Sequence, residues 1–145
     1  MRVLALDYGS ARCGCALSDP TGTIVTPVHS IAQPATKRGL AQLRELVRER
    51  EVERVVVGLP LSLDGGESEQ TREARAFAEQ LSRQLGASIP VELHDERFTT
   101  RIAQRMEQAA RARDGRGRAS RSLKADEDSR AAAHLLESWF AARPR

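Results

Sequence analysis

Val3-Leu4-Ala5-Leu6-Asp7-Tyr8-Gly9-Ser10 is an aliphatic run that stops on a carboxylate and a glycine. An unbroken β-branched and aliphatic stretch of this length fits a buried strand, and Gly9 punctuates its end. Asp7 therefore stands where a core strand opens into a turn. Taken alone, such an aspartate reads first as a turn residue that hydrogen-bonds its own backbone. The reading changes if acids from other parts of the chain arrive at the same edge.

Working outward, Cys13-Gly14-Cys15-Ala16-Leu17-Ser18 forms a second strand entered through Arg12. Asp19-Pro20-Thr21-Gly22 is a turn signal, so a hairpin leads into a third strand at Thr23–Thr26. Pro27 marks that strand as an edge or a bend, and residues 31–36 read as loop. Leu40, Leu43 and Val47 recur at helical spacing within Lys37–Glu51. Arg54–Leu59 is a short buried strand that runs into the loop Pro60–Gly66. A helix from about Glu67 to Leu85 presents Ala74, Phe77, Ala78, Leu81 and Leu85, with Gly86 as its stop. Ile89–Leu93 is a fifth strand leading into His94-Asp95-Glu96-Arg97. Thr99 or Thr100 caps a helix through Ile102, Met106 and Ala110. A last helix from about Asp126 packs Ala132, Leu135, Leu136, Trp139 and Phe140.

That order predicts a single α/β domain over residues 1–145. Its sheet is mixed, with three antiparallel strands followed by two parallel ones joined by right-handed crossovers. Ligands of such sheets bind at the C-terminal strand ends. Here those ends are Asp7, the loop after Leu59, and Asp95-Glu96, all expected on one edge.

At 145 residues, with 40% hydrophobic and 30% charged side chains, the chain can bury a core without staples. No apolar run approaches the ~20 residues a membrane helix needs, and no signal-peptide pattern precedes Asp7, so a cytoplasmic protein is expected. Cys13 and Cys15 share one face of their strand, where a disulfide is geometrically awkward, so both are expected to be reduced and buried. Three scattered histidines argue against a zinc site. The net charge of +3 is unevenly spread. Residues 1–96 carry 11 basic and 14 acidic side chains, whereas residues 97–145 carry 12 and 6. Residues 111–124 hold six basic residues against one acid, with little apolar content, and are expected to be mobile. An arginine-rich segment suits a polyanion, since guanidinium groups bind phosphate bidentately; a solvated basic face is the alternative.

Four stretches in order resemble the YqgF/RuvX-type nucleases of the ribonuclease H-like superfamily. They are Asp7–Gly14, Val57–Gly65, Asp95–Thr100, and Asp128–Ala132 running on into Leu135–Phe140. The resemblance spans nearly the whole chain and implies a ribonuclease H-like fold. It also implies a Mg²⁺- or Mn²⁺-dependent nuclease that matures the 5′ end of precursor 16S rRNA, with resolution of DNA Holliday junctions as the alternative. By motif, Asp7, Glu96 and Asp128 look like the catalytic, metal-binding acids, with Asp95 as an additional one. The sequence departs from the family where Cys13 and Cys15 stand for the commoner aliphatic residues, and where Glu127 precedes Asp128.

Phosphodiester hydrolysis gives those acids a reason to converge. It needs a hydroxide nucleophile and a neutralised leaving oxygen. Two hard cations roughly 4 Å apart supply both, and hard cations take oxygen ligands. Against this, Asp128 at a helix start is also favoured by the macrodipole, and Glu96 can pair with Arg97 or Arg101 at the surface. Candidate phosphate contacts are Arg12, Arg97, Arg116, Arg118, Arg121 and Lys124. Ser62 and Gly65-Gly66 can offer donors to phosphate but read first as a connecting loop, and His94 reads as structural before it reads as a base. With one Trp, one Tyr and three Phe, the chain lacks a stacking platform for single strands. A folded precursor rRNA or branched DNA is the better-matched partner; no feature decides between monomer and homodimer. Two other classes compete. An actin-like or sugar-kinase-type phosphotransferase also ends its first strand in Asp-x-Gly but normally needs two such domains. A non-catalytic RNA-binding assembly factor is the third.

Overall fold

In the computed structural model of the chain, residues 1–95 and 121–143 are described, the side chains of 121–127 excepted. Five strands, β1 (Val3–Asp7), β2 (Arg12–Ser18), β3 (Val25–Ala32), β4 (Arg54–Leu59) and β5 (Val91–Asp95), make one sheet in the order β3-β2-β1-β4-β5. The first three are antiparallel neighbours, and β1–β4 and β4–β5 run parallel. The described helices are α1 (Lys37–Glu49), α2 (Glu69–Leu85) and α3 (Arg121–Ala142).

Strand alternation sorts the core into two layers. Leu4 and Leu6 of β1, with Cys13, Cys15, Leu17, Val55 and Val57, pack against Leu43, Val47, Phe77 and Leu81 of α1 and α2. Val3, Ala5 and Val56 turn the other way, onto Leu135, Leu136 and Trp139 of α3. The aliphatic run of β1 is thus apolar at every position because both of its faces are covered. Asp7 has the parity of Val3 and Ala5, which puts it on the α3 side.

Local chemistry sets the helix ends. Thr36 caps α1 by accepting from the Gly39 N–H at 3.1 Å. Ser68 and Thr71 form a reciprocal capping box at α2, with threonine in the place usually held by Glu or Gln. The buried Thr71 hydroxyl also donates to the Pro60 carbonyl, tying the loop after β4 to α2. Gly86, at φ 82°, ends α2 as expected.

Three elements differ most from expectation. β3 starts at Val25 and continues to Ala32, through Pro27 and into residues expected to be loop. It is an edge strand, where a proline is tolerated although it has no N–H to donate, and Pro27 sits there opposite Ala16. β5 spans Val91–Asp95 where Ile89–Leu93 was expected, because its parallel register with β4 carries on to Leu59↔Asp95. α3 is helical from its first described residue, Arg121, so Arg121–Lys124 is helical where a mobile segment was expected. Arg, Leu, Lys and Ala are strong helix formers whatever their charge. Asp128 consequently lies well inside α3, and the macrodipole account of it fails. The expected helix from Thr99 or Thr100 and the rest of the arginine-rich segment lie outside the described residues. Among the described residues no helix is long and apolar enough to cross a membrane.

Candidate active site

Because β1, β4 and β5 run parallel, their C-terminal ends share one sheet edge. Asp7 closes β1 there, and Leu59 and Asp95 sit opposite each other at the ends of β4 and β5. The expected convergence of these strand ends is borne out.

Asp7 pairs across the β1–β2 ladder with Gly14. On its α3 side Gly14 lies directly against the backbone of α3. A Cβ built at Gly14 would lie 1.9 Å from the carbonyl oxygen of Asp128 and 2.4 Å from its carbonyl carbon. Directly opposed residues on one sheet face have Cβ positions about 4.5–5.5 Å apart. One glycine therefore brings the backbone of Asp128 beside Asp7. The Cys13 thiol lies within electrostatic reach of both acids. Its pKa is pushed well up, first by a hydrogen bond with Cys15 and by burial, then by the Cys15, Asp7 and Asp128 charges. Both cysteines are buried and free, as expected.

The surroundings narrow what each neighbour can do. Arg12 is exposed at the start of β2, on the site edge. The Tyr8 ring is stacked on Phe77 at 4.7 Å, and burial, then the charge of Glu73, raises its hydroxyl pKa. His94 Nε2 is 3.1 Å from Ser138 Oγ, a β5–α3 tie that fits the structural reading of this histidine. Burial lowers the His94 pKa, opposed by Asp95 and Glu92. In the loop after β4, the Ser62 N–H donates to Gly66 O, Gly65 N–H to Ser62 O and Gly66 N–H to Asp64 Oδ1. These amides are used within the loop, so it reads as a self-closed connection rather than a phosphate cradle.

Glu96, Arg97, Arg116 and Arg118 lie outside the described residues, and the backbones of Arg121 and Lys124 are helical. Among the described residues no group of three or more His, Cys, Asp or Glu side chains is arranged to hold a metal. Asp7 and Asp128 offer the hard carboxylate oxygens that Mg²⁺ or Mn²⁺ require, so the donor chemistry present fits such an ion. Sequence reasoning missed Gly14 as a site element. Its signal was a glycine inside a strand, which often marks a close backbone approach.

A sequence model described as RuvX, Holliday junction resolvase, matches residues 1–142. The chain belongs to the RuvX family. A relative in Anaeromyxobacter sp. (strain Fw109-5), provisionally named a pre-16S rRNA nuclease, is 41% identical over 143 residues, covering 99% of this chain and 98% of the relative. One of the same name in Mycobacteroides abscessus is 39% identical over 145 residues, covering 99% and 83%. Among solved structures, T. thermophilus RuvC in complex with a Holliday junction substrate superposes with a TM-score of 0.59 at 19% identity, covering 99% of this chain and 96% of RuvC. The Fowlpox virus resolvase with junction DNA gives a TM-score of 0.58 at 10% identity, covering 98% of each chain. At these identities the likeness concerns the fold, which in this RuvX family member is ribonuclease H-like.

Proposed function

We propose that this RuvX family member is a divalent-metal-dependent endonuclease, one domain over residues 1–145, that cuts precursor 16S rRNA near its 5′ end in the cytoplasm. The observation that carries the reading is the approach of Asp128 to Asp7 through Gly14, which gathers two acids from distant parts of the chain on one sheet edge. Two neighbouring carboxylates repel unless a cation or a proton lies between them. Asp7, Glu96 and Asp128 would hold Mg²⁺ or Mn²⁺, with Asp95 as a further acid beside Leu59. When bound, such ions activate water and neutralise the leaving oxygen.

The chain's own residues hold the substrate. Arg12, exposed on the site edge, contacts a phosphate flanking the scissile one. Arg97, Arg116, Arg118, Arg121 and Lys124 add backbone contacts without sequence choice. Tyr8 holds the strand end against α2 by stacking one face of its ring on Phe77.

Cleavage of DNA four-way junctions is the second reading, favoured by the family description. One assay separates the two. The wild type and Asp7→Asn are incubated with a labelled precursor rRNA fragment and a DNA junction, in Mg²⁺, Mn²⁺ or EDTA. Metal-dependent cutting of the rRNA that disappears in Asp7→Asn is expected. Preferential cutting of the junction would move the assignment to DNA, and cutting that survives in Asp7→Asn would remove it.

A further inference from the structure

We infer that Gly14 and Ser129 are positioning residues that form a clasp holding Asp128 at the distance from Asp7 that a bound cation requires. The inference rests on the metal-site reading of these two acids and adds residues that act by placing Asp128, not by holding the ion.

The clasp has two parts, on two strands. The first is steric. With the Asp128 carbonyl oxygen 1.9 Å and the Ser129 nitrogen 3.0 Å from where a Cβ of residue 14 would be, α3 lies directly on the β2 backbone. Real Cβ contacts never come that close, and the obstructing atoms are helix backbone that cannot swing aside. Any side chain at position 14 must lift this turn of α3 off the sheet. Position 14 is also the direct cross-strand partner of Asp7, so the lift separates the two acids themselves.

The second part is a hydrogen bond. The Ser129 hydroxyl, almost fully buried, donates to the Val28 carbonyl of β3. The β2–β3 ladder is irregular at the same level. Its register passes from Cys13↔Ile31 to Cys15↔Val28, leaving Gly14 opposite two residues, His29 and Ser30. A bulge of this kind bends the strand and interrupts the ladder. Here it lies beside the carbonyl that Ser129 reaches. Serine is an indifferent residue for a helix interior and costly to bury unless bonded, so this bond accounts for its presence. Gly14 thus sets how near α3 can come, and Ser129 holds it there.

Clasp and simple packing separate in one experiment on the full chain. Mn²⁺ binding is titrated by electron paramagnetic resonance for the wild type, Gly14→Ala, Ser129→Ala and Leu43→Ala. Folding of each is checked by circular dichroism in EDTA. Leu43 of α1 is fully buried against the opposite face of the sheet and serves as a destabilised control. Groups that orient metal ligands typically change metal affinity about 10- to 100-fold when removed. We expect a loss of that size in Gly14→Ala and Ser129→Ala and none in Leu43→Ala. If Gly14→Ala does not fold, Ser129→Ala alone carries the test. Folded variants that bind Mn²⁺ as tightly as the wild type would overturn the clasp and leave the metal site standing. A wild type that binds no Mn²⁺ would overturn the metal reading and the clasp with it.

Discussion

The ring of Tyr8 lies flat against that of Phe77, with centroids 4.7 Å apart and planes 22° from parallel. Tyr8 directly follows Asp7 and has the parity of Leu4 and Leu6, so its ring seals the α2 layer beneath the site edge. Phe77 is almost completely buried, and large-to-small changes at such positions cost about 3–5 kcal/mol. Phe77→Ala should lower unfolding free energy by that amount in urea titration. Tyr8→Phe should keep both stability and substrate affinity near wild type, since the stack survives. A marked loss of affinity in Tyr8→Phe would mean that the hydroxyl touches the substrate.

The turn between β2 and β3 carries a pH signature. Asp19 accepts from the Thr21 hydroxyl and from the backbone N–H groups of Thr23 and Ile24, and these bonds lower its pKa to about 2. A carboxylate held below its unfolded value of about 3.9 stabilises the folded chain above that pH. The contribution disappears as pH falls through the folded value. The melting-temperature difference between the wild type and Asp19→Ala should therefore be constant from pH 7 to 5 and shrink between pH 4 and 2. A difference unchanged down to pH 2 would contradict the assignment.

Cys13 and Cys15 should be chemically silent in the native protein. Both are fully buried under α1 and α2, and the Cys13 thiol is held protonated by its bond with Cys15 and by burial. Thiolates, not thiols, attack disulfide reagents. With a chromogenic disulfide, both thiols should react only as fast as the chain unfolds, and at once in denaturant. Rapid native labelling would show that this face of β2 opens.

These tests fall on parts of the molecule of unequal legibility. β1, β4 and the apolar faces of α1 and α2 could be read directly, because residues buried on a fixed side of a strand or helix repeat with its period. β3 beyond Pro27 could not. An edge strand keeps its place with half a hydrogen-bond ladder, so His29 and Ser30 carry no strand signal. The first described turn of α3 was hidden for the opposite reason, since charge in Arg121–Lys124 masked good helix formers. The nearness of Asp7 and Asp128 is a tertiary fact decided by the absence of one side chain. The motif named the two acids, and only the packing of α3 on Gly14 says how they meet.

The arginine-rich stretch yields the last prediction. Each phosphate neutralised by a basic side chain releases condensed counterions, so log K falls with log salt at a slope of about −0.7 to −0.9 per contact. Arg116, Arg118 and Arg121 fall within a stretch carrying six basic residues against one acid. If all three grip the backbone, the triple alanine variant should show a slope shallower by about 2 to 3. Fluorescence anisotropy of labelled RNA across a salt series measures this. Guanidinium groups contacting phosphates carry no sequence choice, so the loss should be equal for rRNA and for unrelated duplexes. An unchanged slope would assign the grip to other basic residues, Arg12 at the site edge first among them. A loss confined to the rRNA fragment would mean that these arginines read its shape.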